Sequence, residues 1–324
     1  MRVLITGITG FAGSHLADYC LARSGVEVAG LVRRPGQLAN AAHLSGQITT
    51  HTGDVRDAPS VLAALGAAQP DVVFHLAAQA SVAQSFADPV GTLMDNAVGQ
   101  LNVIHAVLQA RPQARLLVVG SAYEYGLVRP EENPIHEDVP LRPMDPYAVS
   151  KVAQDLFGYQ FSLSNRLQAV RVRAFNHTGP RQSTDFVASR FARLIAEIER
   201  GARQPVVTVG NLAAVRDFTD VRDVVRAYFL AATKGQPGEV YNVGSGQGRK
   251  IEDLLTTLMG LSRVPVRVEE DAALFRPLDV PALVCDARKL QQHTGWEPQL
   301  PLERTLSDLL DYWRAELAAA ASPA

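Results

Sequence analysis

The chain has two cysteines and only four lysines in 324 residues, a net charge of -2, and no apolar run approaching the ~20 residues of a membrane helix. Each scarcity removes a class of function. Cys20 and Cys285 cannot build a disulfide framework or a zinc site. The eight histidines show no ligand spacing such as H-x-x-x-H, so no metal is expected and both cysteines read as buried filler. Near-neutral charge gives no electrostatic case for nucleic acid or membrane. The first residues enter a strand directly, without the basic, apolar and small-residue order of a signal peptide, so a cytoplasmic protein is expected. What remains, 47% hydrophobic and 20% charged residues, is a globular composition for one large or two ordinary domains.

Residues Arg2 to Thr6 form a short apolar run that ends in Gly7-x-x-Gly10-x-x-Gly13, and Ser14 to Ala22 then carries helical periodicity. Strand, glycine loop and helix in this order suit a pyrophosphate: glycines allow close approach, and the helix start offers free N–H groups. A second strand, Val26 to Val32, follows at βαβ distance and ends in Arg33-Arg34. An acidic residue there would grip the ribose of NAD, whereas two guanidinium groups suit a 2′-phosphate, so NADP (NADPH) is the expected cofactor and NAD the alternative.

Further strand signals occur at Gln47–Thr50, Val72–Leu76, Arg115–Val119 and Ala169–Arg173, with helical stretches between them. The alternation predicts an α/β fold, a doubly wound Rossmann-type parallel sheet with ligands at the carboxyl ends of its strands. The second half breaks the alternation. It has an amphipathic helix through Phe191, Leu194, Ile195 and Ile198, strands at Val206–Val209 and Val240–Gly244, and a helix from about Val221 to Ala232 between them. From Ile251 the pattern reads as mostly helical to Leu317, with Ala318 to Ala324 frayed. This predicts a Rossmann domain of residues 1-176 and 214-243, and a smaller discontinuous α/β substrate domain of 177-213 and 244-317.

One stretch carries chemistry, Asp145-Pro146-Tyr147-Ala148-Val149-Ser150-Lys151. On a helix starting after Pro146, Tyr147 and Lys151 share a face. Such a pair is expected by chance only ~0.1 times at this composition. A lysine beside a phenol favours the phenolate, which would let the oxygen exchange a proton near neutral pH.

Glycine loop, Asp54, Ala77-Ala78-Gln79, Asn96, Ser121 and Tyr147-x-x-x-Lys151 together resemble the extended short-chain dehydrogenase/reductases that act on nucleotide sugars, across nearly the whole chain. Within that superfamily the chain is most similar to the GDP-mannose 4,6-dehydratase and GDP-4-keto-6-deoxymannose reductase branch. Phe175-Asn176-His177-Thr178-Gly179-Pro180, Gly210-Asn211-Leu212 leading to Arg216-Asp217-Phe218, and Phe275 to Val280 carry this likeness. The resemblance implies that Ser121 and Tyr147 serve the sugar carbonyl as hydrogen-bond donor and acid/base, and that Lys151 binds the nicotinamide ribose and tunes Tyr147. It implies that Gly7, Gly10 and Gly13 cradle the pyrophosphate, Asp54 and Val55 flank the adenine, and Arg33 and Arg34 meet the 2′-phosphate. Ala77, Ala78 and His177 would complete the cofactor site. Ser81, Asn176, Asn211, Arg216, Arg276 and Asp279 would hold the substrate, a GDP-linked sugar. For each of these arginines the alternative is a surface ion pair, and for His177 a core histidine. The branch also implies a homodimer, paired through helices near Leu93–Gln109 and Tyr147–Leu163.

One departure divides the branch. In the dehydratases an acid follows the serine or threonine at the position of Ser121 within two residues, where this chain has Ala122 and Tyr123. Glu124 is one residue late and on extended backbone points to the opposite side. The dehydratases also carry a histidine where this chain has Ser81. The expected activity is therefore NADPH-dependent reduction of GDP-4-keto-6-deoxy-D-mannose to a GDP-6-deoxyhexose such as GDP-D-rhamnose. Alternatives are GDP-mannose 4,6-dehydratase, a nucleotide-sugar 4-epimerase and, from another class, an inactive cofactor-binding regulator, against which Ser121, Tyr147 and Lys151 speak.

Overall fold

The computed structural model describes residues 1–36, 38–274 and 280–321. Its strands are β1 (Arg2–Thr6), β2 (Glu27–Val32), β3 (Thr49–Thr52), β4 (Val72–His75), β5 (Arg115–Ser121), β6 (Gln168–Ala174), β7 (Asn176–Thr178), β8 (Val206–Val209), β9 (Val215–Asp220), β10 (Val240–Val243), β11 (Gly248–Lys250), β12 (Arg267–Glu270) and β13 (Ala282–Leu283). The helices are α1 (Phe11–Leu21), α2 (Ala58–Ala68), α3 (Val82–Ala87), α4 (Pro89–Leu93), α5 (Gly99–Ala110), α6 (Pro146–Asn165), α7 (Val187–Glu199), α8 (Val221–Lys234), α9 (Ile251–Gly260), α10 (Arg288–Thr294) and α11 (Leu302–Ala321).

Seven parallel strands form the main sheet in the order β10-β6-β5-β4-β1-β2-β3. The central strands are near-continuous apolar runs because both faces are covered. On one face α1 and α8 bury Ile5, Phe74, Leu117 and Val172. On the other, α2, α5 and α6 cover Leu4, Val73, Leu116 and Val118. A separate core, with Phe191, Ile195, Leu254, Leu258 and Leu309, joins α7, α9 and α11 to β8. Strand β9 ties the parts together: it pairs with β7, which follows β6 after one residue, and carries β11 and β13 beside it.

Most expected elements lie within two residues of their observed bounds, but the region after Ile251 differs. Instead of a mostly helical run, β12 pairs with β8 and β13 with β9 between the helices. All four residues of β12 are exposed, so no buried face leaves an alternating pattern in the sequence. Helix α11 also continues through the alanine-rich stretch expected to fray, as far as Ala321, since alanine is the best helix former.

Candidate active site

A cavity of about 810 Å³ opens at the carboxyl ends of β1, β4, β5 and β6, and Ser121, Tyr147 and Lys151 line it together. Asp145 starts α6 by accepting the Ala148 N–H at 2.7 Å, with Pro146 in the first helical position. That start points Tyr147, Lys151 and Asp155 along the buried face of the helix. Ser121 ends β5, and its Oγ accepts the Tyr123 N–H at 3.2 Å.

Burial pushes the Tyr147 phenol above its ordinary range, opposed by its hydrogen bond with Ser121. Burial also pulls Lys151 down to about 8, opposed by Glu124. The ammonium donates to the Val119 carbonyl at 2.9 Å and lies 5.9 Å from the centre of the Tyr147 ring. The expectation that lysine lowers the phenol is thus corrected for the free chain: desolvation dominates both groups, and the lysine is turned to the strand.

Glu124 is absent from the cavity wall, though not through strand alternation: β5 ends at Ser121, and Ala122–Glu124 form a 3-10 turn that folds the carboxylate back on the strand. Its Oε1 accepts the Ser121 N–H at 2.7 Å, and its Oε2 lies 3.2 Å from Arg173 Nε. Arg173 and Arg171 both reach Asp155, at 2.8 and 2.9 Å. Tyr123 lines the cavity instead, its ring edge-on to Tyr147 with centroids 6.2 Å apart.

Gly7, Gly10 and Gly13 line the cavity at the start of α1. Gly7 has φ +74°, and a Cβ there would stand 2.8 Å from the Ala77 nitrogen, so only glycine leaves this approach open. Ala78 lines the cavity, while the Ala77 N–H donates to Thr6 Oγ1 at 3.2 Å. Arg33, Arg34, Asp54 and Val55 stand outside the cavity wall, beyond the ends of β2 and β3, and both arginines are exposed. His177 is stacked on Phe11 with centroids 5.8 Å apart, and burial lowers its pKa.

Ser81, Asn176, Asn211 and Arg216 also line the cavity. Ser81 caps α3, accepting the Gln84 N–H at 3.2 Å. Arg216 is no surface side chain: it is 5% exposed and donates to the carbonyls of Val215 and Val280 at 2.8 and 2.7 Å. Arg276 and Asp279 lie outside the described residues.

Sequence reasoning misses several wall residues, among them Arg181, Phe186, Tyr228, Tyr312 and Trp313. Arg181 has φ +73° and donates to His15 Nδ1 and Asp18 Oδ2, both at 2.6 Å. His15 Nε2 in turn bonds the Pro180 carbonyl at 2.9 Å, so its ring is neutral with the proton on Nε2. Burial, then Arg181, lowers its pKa to about 4. These partners are some 165 residues apart, and no local spacing announces them. Among the described residues no cluster of histidine, cysteine, aspartate or glutamate could hold a metal, and no helix is long and apolar enough to cross a membrane.

A GDP-6-deoxy-D-mannose reductase of Pseudomonas aeruginosa is 32% identical over 98% of both chains. GDP-mannose 4,6 dehydratase 2 of Arabidopsis thaliana is 32% identical over 95% of this chain and 85% of its own. The solved structure of RMD from Pseudomonas aeruginosa complexed with NADPH superposes with a TM-score of 0.85 and 33% identity, over 97% of this chain and 99% of that one. The model of the GDP-mannose 4,6 dehydratase family matches residues 4–309, and the chain belongs to that family.

Proposed function

We propose that the protein is an NADPH-dependent reductase of GDP-4-keto-6-deoxy-D-mannose, giving a GDP-6-deoxyhexose such as GDP-D-rhamnose. The observation that carries this reading is at the end of β5: Ser121 and Tyr147 face the cavity, while the nearby carboxylate, Glu124, is bound beneath the strand to the Ser121 N–H. Loss of water across C5 and C6 needs a base and an acid beside the sugar; reduction needs one proton donor. The names of the Pseudomonas relatives support the same substrate and cofactor.

The glycine loop fits a dinucleotide, because its backbone is bare where a side chain would close the approach. Gly7, Gly10 and Gly13 would hold the pyrophosphate, Arg33 and Arg34 the 2′-phosphate, Asp54 and Val55 the adenine, and Ala77, Ala78 and His177 the remaining length. Bound NADPH would supply hydride to the sugar's C4. Ser121 and Tyr147 would donate hydrogen bonds to the C4 oxygen and stabilise its developing charge. Burial keeps the phenol protonated, the state an acid requires, and Tyr147 then gives its proton to the alkoxide. Lys151 would orient the ribose and offset the phenolate charge left behind. Ser81, Asn176, Asn211 and Arg216, with Arg276 and Asp279, would hold the GDP-sugar.

In this reading residues 1-176 and 214-243 form the cofactor half, and 177-213 and 244-317 the substrate half. A second copy is proposed to cover the face made by Phe86, Val90, Leu93 and Met94 beside Val149, Leu156, Tyr159 and Leu163, exposed apolar side chains on neighbouring helices. Free, buried Cys20 and Cys285 suit a reducing cytoplasm.

The test is a panel of nucleotide sugars with NADPH and product analysis. Stoichiometric NADPH consumption with the keto-sugar and no conversion of GDP-mannose is expected. Dehydration of GDP-mannose that disappears in Glu124→Gln would establish the dehydratase instead.

A further inference from the structure

Behind the cavity lies a fully buried carboxylate, Glu124, that the proposed reaction does not use. Facing it are Arg173 from β6, Lys151, Asp155 and Tyr147 from α6, and the Ser121 N–H from β5, with Tyr125 next to it in sequence. Arg171 faces Asp155, and His75 of β4 faces Lys151 but stays neutral, its pKa lowered by burial to about 3. Lys151 bonds the Val119 carbonyl and Glu124 the Ser121 N–H. These two residues are two apart on β5, so both bonds leave the same edge of the strand, within ~7 Å along it. Between them is Gly120, where a Cβ would meet Glu124 Oε1 at 2.2 Å. The strand therefore leaves room for the carboxylate to cross beneath the catalytic residues.

We propose that Glu124 is a positioning residue of the reducing centre: one carboxylate oxygen fixes the Ser121 backbone, and the carboxylate as a whole is the counter-charge that keeps Lys151 an ammonium inside the protein. The role in catalysis rests on the reductase reading; the charge coupling does not. Arg173 alone does not explain the arrangement, because Oε1 is turned to Ser121 while Oε2 faces the guanidinium. Burial, then Asp155, raises the Glu124 pKa to about 8 against the pull of Arg173, the Ser121 N–H and Lys151, while burial lowers Lys151 to about 8 against the pull of Glu124, so the two groups titrate as a pair.

Four lysines in the chain make a direct measurement practicable. The full-length protein is labelled with [ε-13C]lysine, Lys151 is assigned by its missing signal in Lys151→Met, and its shift is followed with pH. Wild type is expected to show two steps. Glu124→Gln keeps an acceptor for the Ser121 N–H but no charge, and its Lys151 is expected to titrate in one step, lower by about one pH unit or more. The alkaline limb of kcat should move the same way. Superimposable Lys151 curves in the two proteins overturn the proposal. Should Glu124→Gln not fold, wild type decides alone: a single step near the ordinary lysine value overturns it as well. The signal needs no substrate, so failure to reduce the keto-sugar would count against the activity and leave the coupling to be judged separately.

Discussion

The Lys151 ammonium donates to the Val119 carbonyl at 2.9 Å and stands 5.9 Å from the centre of the Tyr147 ring, although both residues line one cavity. In the free protein the lysine belongs to the strand and the tyrosine to Ser121. Tyr147→Phe, which removes the proton and keeps the ring, should lower kcat ~10²-fold or more with NADPH affinity nearly unchanged. Lys151→Met should weaken both. Near-normal turnover of Tyr147→Phe would require another acid.

Arg33 and Arg34 stand exposed at the end of β2, free to meet a phosphate. Replacing both with glutamine should weaken NADPH ~10-fold or more, the worth of ~1.4 kcal/mol of charge-assisted bonding, and leave NADH nearly unchanged. Fluorescence titration of each cofactor measures this, and equal losses would reject a 2′-phosphate contact.

Arg216 joins two tasks, since it lines the cavity and also ties β9 to the Val280 carbonyl. Arg216→Ala should raise the KM for the GDP-sugar. It should also lower the melting temperature of the ligand-free protein, because it strips the partly buried Val280 carbonyl of a charged donor, at ~1–3 kcal/mol. Calorimetry beside steady-state kinetics separates the effects; an unchanged KM would place Arg216 in the fold alone.

His15 gives stability a defined pH dependence. The native state holds it neutral down to about 4, whereas the unfolded chain protonates it below about 6.5. Within that window the unfolded state binds more protons, so stability falls as pH falls and is complete above it, with at most ~1.4 kcal/mol lost per unit. Urea unfolding at pH 7 and 5 should show a smaller difference in His15→Gln than in wild type. Equal differences would mean that other groups set the acid limb.

The apolar face on α6 predicts the assembly. Sedimentation should give twice the 35.0 kDa chain mass, and Leu156→Arg with Leu163→Arg should give the single chain. A wild-type monomer would show that no second copy covers this face.

What could be read from the sequence follows from range. Tyr147 and Lys151 sit together because one helix fixes them four residues apart, and the glycine loop is legible because it lies between a strand and the start of α1. Glu124's inward turn comes from the 3-10 turn of Ala122–Glu124 and its bond back to the Ser121 N–H, not from the extended backbone assumed for it. The Lys151 bond to β5 was not legible, since it depends on how deeply the helix sinks against the sheet. Nor were the Arg181 clasp on His15 and Asp18 or the aromatic wall from α11, which are made by segments far apart in the chain and leave no periodic trace. Strand β12 was missed because every residue in it is exposed.

The place of β10 at the outer edge of the main sheet also governs how the protein is made. Until Val240–Val243 leave the ribosome, the outer edge of β6 has no strand beside it, although Ser121, Tyr147 and Lys151 have long been synthesised. A product terminated before residue 240 would hold every residue of the proposed reaction centre and still expose an open row of N–H and C=O groups, a template for pairing with another chain. Premature release thus yields an adhesive fragment, and the nascent cofactor-binding sheet depends for its protection on a strand translated nearly seventy residues after its neighbour.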